Sequence, residues 1–200
     1  MFFLFTLLCS VSASSNDVLN LVNTLRLQNN VPNVTYNNSL SEGASLWAKH
    51  MVSVNTLVHS NSNNTYGENL GFATNVLNAW SLIINDWYAE NSLYSYISPG
   101  FSSSTGHFTQ LVWKHSTQIG FAQEVDETSN LVYFVMWFYP KGNIKGEFSS
   151  NVLPPVPVSP KQSPSPTPSP TPPTPNPPSP SLNSSPWFNS TTKYTCQCTC

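Results

Sequence analysis

From Pro154 to Pro180 the chain is almost wholly Pro, Ser and Thr, including the alternating run Ser163-Pro164-Ser165-Pro166-Thr167-Pro168-Ser169-Pro170-Thr171-Pro172. Proline fixes φ and removes a backbone donor, and this stretch offers almost no apolar side chains to bury. It therefore reads as an extended polyproline II spacer rather than part of a core. That confines any packed domain to the residues before it. The expected organisation is a signal peptide over 1–13, a folded domain over 14–150, a Pro/Ser/Thr-rich disordered linker over 151–186, and a short Cys-containing tail over 187–200. A chain ending near Ser150 is expected to fold, since the spacer cannot contribute packing.

The first residues, Met1-Phe2-Phe3-Leu4-Phe5-Thr6-Leu7-Leu8-Cys9, form an apolar run too short to span a bilayer, with small residues after it. This is the pattern of a secretory signal cut after Ala13, and it predicts a secreted, extracellular protein with no transmembrane segment. Cys9 would leave with the signal. The other cysteines, Cys196, Cys198 and Cys200, crowd the tail, so residues 14–150 hold no disulfide and must stand on apolar packing. Three tail thiols in an oxidising compartment predict disulfide-linked multimers. Asn33, Asn37, Asn63, Asn183 and Asn189 each head an N-x-[ST] sequon and are candidate glycosylation sites. Charged residues make up only 8% of the chain, against roughly 25% in an average soluble protein. With no basic stripe, nucleic acid is excluded as a partner.

Within the domain the apolar period changes halfway. Val18, Leu21, Val22 and Leu25 predict a helix to about Asn29. Ser39-Leu40-Ser41-Glu42 has capping-box form and predicts a second helix carrying Leu40, Ala44, Trp47 and Met51. A third is predicted from Val76 to Glu90. Three strand-like runs follow, at 108–113, 120–125 and 131–139, separated by turn residues. Helices followed by strands predict an α+β domain with an antiparallel sheet, the nearly all-apolar last strand at its centre.

Against this charge-poor background His59, Glu68, Glu90 and His107 stand out. Two imidazoles and two carboxylates in one cleft could hold a divalent cation, or act as acid and base. His50 and His115 are expected to be exposed, and Trp80, Trp87, Trp113 and Trp137 to be core. No Gly-x-Ser-x-Gly is present, and no cysteine lies in the domain to serve as nucleophile.

The context of these four residues is more specific. Gly106-His107-Phe108-Thr109-Gln110-Leu111-Val112-Trp113-Lys114 and Gly120-Phe121-Ala122 closely resemble the signature of the CAP superfamily: cysteine-rich secretory proteins, antigen 5 and plant pathogenesis-related proteins. His59-Ser60, Gly67-Glu68-Asn69-Leu70, Trp87-Tyr88-Ala89-Glu90 and Tyr139-Pro140-Lys141-Gly142-Asn143 match in the family's order, across about residues 16–148. The resemblance implies a three-layer α-β-α sandwich with a central antiparallel sheet. It also implies that His59, Glu68, Glu90 and His107 form a cavity tetrad, whose histidines bind zinc or another divalent ion weakly in some relatives. Departures are informative. Phe121 and the Val135-Met136-Trp137 stretch stand where the family commonly has cysteines, and Val22 stands where its first helix has a histidine. The segment Lys49–Val58 lacks the aromatic residue of sterol-binding relatives. The expected function is a secreted, non-enzymatic binding module for a small apolar ligand (lipid) or an extracellular protein partner. A metal-dependent hydrolase built on the same tetrad and a surface or wall component held on a Pro-rich stalk are the alternatives.

Overall fold

A computed structural model describes residues 14–61, 65–74 and 78–156. The expected signal peptide, Asn63, the linker, Asn183, Asn189 and the three tail cysteines lie outside the described residues. Helix α1 (Ser15–Gln28) opens with a capping box in which Ser14 and Asp17 cap each other. Strand β1 (Thr35–Tyr36) and helix α2 (Asn38–Val54) follow, then β2 (Gly67–Thr74), α3 (Ala79–Ala89) and a 3-10 turn at Glu90–Leu93. The last elements are α4 (Gly106–Leu111), β3 (Gln118–Asp126), β4 (Leu131–Tyr139) and the single turn α5 (Phe148–Asn151).

The sheet order is β1-β3-β4-β2, so β4 is internal, as its apolar run predicts. Its alternation assigns the two faces. Tyr133, Val135 and Trp137 pack with Ala44, Ala48 and Met51 of α2. Phe134, Met136 and Phe138 pack with Val18 and Val22 of α1 and Ile83, Ile84 and Trp87 of α3. A strand buried on both faces loses the apolar/polar alternation of a half-exposed one. The three layers are therefore α2, the sheet, and α1 with α3. Phe121, which stands where the resembling family commonly has a cysteine, lies directly opposite Met136 and packs edge-on against Trp80 with ring centroids 5.4 Å apart. Apolar contact fills the place of a cross-link there.

Five expectations are corrected. The sheet is mixed, not wholly antiparallel: β1 runs parallel to β3, pairing Thr35 with Gln118 and Tyr36 with Ile119. Helix α2 is capped by Asn37, whose side-chain oxygen accepts from the Leu40 N–H at 3.1 Å. The Ser39–Glu42 box does not form, because the helix has already begun and Glu42 accepts from Asn38 instead. The run from Phe108 to Trp113 is helical to Leu111 rather than extended. Its residues are buried on every side, so no period distinguishes helix from strand. The segment 67–74 is a strand that the sequence reading did not find, since its two glycines resemble a loop; all eight residues pair with β4. Finally, the packed chain continues past 150. Asn151 and Val152 are buried, and the Val156 N–H donates to the Gln28 carbonyl at 2.8 Å.

Candidate functional site

The four candidate residues form two His–Glu pairs, one from each side of the edge strand β2. Glu68 is the second residue of β2 and lies opposite Trp137 of β4. Its Oε1 sits 2.6 Å from His59 Nδ1 and accepts the Ser60 N–H at 2.9 Å, while Oε2 accepts the Trp137 indole N–H at 2.7 Å. The histidine is 12% exposed and the glutamate 7%. Burial alone would raise the Glu68 carboxyl, but donors on His59, Trp137 and Ser60 outweigh it and hold the group below its ordinary value. Glu68 is thus a buried anion at neutral pH.

Glu90 and His107 form the second pair, Oε1 to Nδ1 at 2.7 Å. Glu90 Oε2 also accepts the N–H groups of His107 and Phe108, both at 3.0 Å. It thereby supplies two of the acceptors that the start of α4 lacks within its own turn. This distant cap explains why the segment coils. The His107 ring lies nearly parallel to Trp87, with centroids 5.9 Å apart and 14° between planes. Asn69, the residue after Glu68, donates from Nδ2 to the His107 carbonyl at 3.0 Å. Consecutive residues of β2 therefore hold the two pairs: Glu68 faces α2 and Asn69 faces α4. Asn69 carries no separate signal of its own beyond its place in Gly67-Glu68-Asn69-Leu70.

A hydrogen bond from Nδ1–H to a carboxylate leaves the imidazole lone pair on Nε2, the arrangement seen where histidines ligate metals. Among the described residues no group of three or more His, Cys, Asp or Glu gathers as a metal cage. Both carboxylates are occupied by their own histidines. The donor set fits two imidazole ligands with carboxylate support, an open and weak site rather than a closed tetrahedron.

Beside the first pair runs a groove of about 550 Å³, lined by Leu40, Leu46, Trp47, Ser60, Tyr66 and Trp137 among others. Tyr66 stacks on Trp137 at 4.2 Å, and Leu46 is 70% exposed. Because Trp137 also binds Glu68, the aromatic wall of the groove and the first His–Glu pair share one side chain.

His50 and His115 are exposed and apart from the pairs. Trp80, Trp87, Trp113 and Trp137 are all core. Val22 is fully buried in the α1–α3 layer. Of the two described sequon residues, Asn33 is exposed, whereas Asn37 caps α2 and donates from its amide to Gln118 at 2.6 Å. Asn33 is the better-placed acceptor.

The charge state of Glu68 gives a pH prediction. A carboxyl lowered in the folded state adds stability that is fully present above its ordinary value of 4.5 and is lost as pH falls through the folded value. Glu68→Gln is expected to cost about 1–3 kcal/mol at neutral pH, the scale of leaving buried donors poorly matched. The gap from wild type should close as pH falls below that ordinary value. Urea midpoints at several pH values check this; a gap that stays constant into acid would show that the carboxylate charge is not what the fold uses.

A model of the Cysteine-rich secretory protein family, CAP, matches residues 19–138. Golgi-associated plant pathogenesis-related protein 1 of Homo sapiens is 33% identical over 144 residues, covering 70% of this chain and 92% of its own length. The basic form of pathogenesis-related protein 1 of Nicotiana tabacum is 32% identical over 151 residues, 73% and 82% of the two chains. Protein PRY2 of Saccharomyces cerevisiae is 34% identical over 141 residues; the match covers 70% of this chain but only 41% of PRY2. Among solved structures, a crystal structure of NaASP2 with Zn2+ superposes with a TM-score of 0.56 at 20% identity, covering 70% of this chain and 84% of that one. At that identity the likeness speaks to the fold.

Proposed function

The chain belongs to the cysteine-rich secretory protein (CAP) family, and from that premise we propose that it is a secreted, non-enzymatic binding module. It takes a divalent metal such as zinc weakly through His59 and His107, and a small apolar ligand or an extracellular protein along the adjoining groove. The observation that carries this reading is that each carboxylate already accepts three hydrogen bonds from the protein. Glu68 accepts from His59, Ser60 and Trp137, and Glu90 accepts from His107 twice and from Phe108. A general base needs a carboxylate lone pair directed at the proton it removes. Three of the roughly four lone pairs on each carboxylate are directed at the protein, and Glu68 is held acidic, which weakens it further as a base. The same geometry suits a positioning role, in which each carboxylate orients a ligating imidazole. It counts against the hydrolase alternative.

No helix of the described residues is long and apolar enough to cross a membrane. Secretion in this reading rests on the leader-like residues 1–13, and display on a stalk rests on the Pro-rich segment with Cys196, Cys198 and Cys200 as cross-linking residues. Zinc titration by calorimetry tests the metal reading. Wild type is expected to bind about one zinc, with affinity falling on acidification because a protonated imidazole cannot ligate. His59→Ala and His107→Ala should each weaken binding at least about tenfold, in line with loss of a ligand or its support. Equal binding by wild type and His107→Ala would end the shared-site reading.

A further inference from the structure

The loop after the 3-10 turn and the segment following β4 line a second pocket of about 500 Å³. Pro99, Gly100, Phe101, Gly146 and Phe148 give it an apolar lining, and Lys145 is the one ionisable side chain among the residues that line it. None of the tetrad residues contributes to it. We propose that this pocket binds a compact apolar anion, an aromatic or short aliphatic carboxylate, with its hydrocarbon part against Phe101 and Phe148 and its charge at Lys145.

Three observations support that occupant. The volume falls within the range of small-molecule sites, roughly 300–1,000 Å³. A side chain added at Gly100 or Gly146 would meet nothing within 4 Å, so the backbone there faces open space that a ligand can approach closely. The charge of the lining also has the right sign, since Lys145 is exposed and no carboxylate is among the lining residues. Glu147 is the acidic neighbour in sequence, but it does not line the pocket. An apolar cavity with a lysine at its rim favours a ligand that carries one negative charge over a neutral one of equal shape.

The test uses the full chain and two probes of matched shape, 2-naphthoate and 2-naphthylmethanol, followed by fluorescence. Naphthoate is expected to bind saturably and more tightly than the alcohol, with affinity falling as salt rises. Gly100→Leu, whose Cβ would meet no heavy atom within 4 Å, should weaken both probes at least tenfold. Lys145→Met should weaken naphthoate up to about fivefold, the scale of one solvent-exposed charge pair, and leave the alcohol unchanged. Lys114→Met, whose lysine does not line the pocket, should leave both probes unchanged. The proposal is overturned if neither probe binds saturably, if Gly100→Leu binds like wild type, or if Lys145→Met weakens the two probes equally. A concentration-dependent dimer abolished by Gly100→Leu would also overturn it, assigning the pocket to a second copy of the chain.

Discussion

Replacing Arg26 by Met is expected to destabilise the domain by about 3–5 kcal/mol, the scale of losing two or more buried hydrogen bonds to a charged donor. Arg26 lies on α1 and is fully buried. Its guanidinium donates to the carbonyls of Pro32 at 2.8 Å, Leu111 at 2.9 Å, Trp113 at 3.0 Å and Ser116 at 2.9 Å. No carboxylate is among these acceptors. Burial lowers its pKa only to about 10, so the side chain stays charged at neutral pH, solvated by backbone dipoles instead of water. Methionine matches the volume but offers no donor, so the buried carbonyls of Leu111 and Ser116 lose their Arg26 donor. That of Trp113 keeps the Ser116 N–H, and that of Pro32 lies nearer the surface. Three of those carbonyls, at Leu111, Trp113 and Ser116, belong to the passage from α4 to β3. Arg26 therefore also anchors the element that carries His107. Arg26→Lys should recover only part of the loss, because one ammonium cannot span acceptors reached by a planar fork. Urea denaturation of both variants measures this. A loss below about 1 kcal/mol for Arg26→Met would mean that the carbonyls find other donors, within the usual cost of a single hydrogen bond.

What the sequence disclosed follows the range over which each interaction acts. Helix α1 is visible because Val18, Val22 and Leu25 face the core at helical spacing. Strand β4 is visible because its two faces feed two separate apolar layers. Helix α4 is invisible as a helix because its cap, Glu90, lies 17 residues before His107 and its own residues are uniformly buried. Strand β2 is hidden by Gly67 and Gly71. A Cβ at Gly67 would strike the Gln110 side chain, and one at Gly71 would meet Ile83. Those glycines look like a loop, yet they are what lets neighbouring layers approach the strand. The tetrad itself was legible through its motifs. Which glutamate serves which histidine was not, since the pairs join segments that only the sheet edge brings together.

A chain ending at Ser150 should be less stable than one ending at Val156 by about 3–5 kcal/mol, summing one buried valine and the buried hydrogen bonds lost with it. Asn151 is fully buried, and its Oδ1 accepts the His115 N–H at 3.0 Å. Its own carbonyl accepts the Lys114 N–H, also at 3.0 Å. Ending at 150 leaves both donors unmatched just after α4. Val152 packs with Val31, Val112, Trp113 and Phe148, and its removal opens that cluster. Farther on, the Pro154 carbonyl accepts from Asn30, and the Val156 N–H donates to Gln28, both at the end of α1. Those last bonds are exposed or peripheral, so a chain ending at Leu153 should recover most of the loss. Asn151→Ala within the longer chain should cost about 1–3 kcal/mol by itself, through the orphaned His115 donor. Comparing urea midpoints across the three end points and this variant separates the contributions. Equal stability for chains ending at 150 and 156 would place residues 151–156 outside the cooperative unit, whatever their burial.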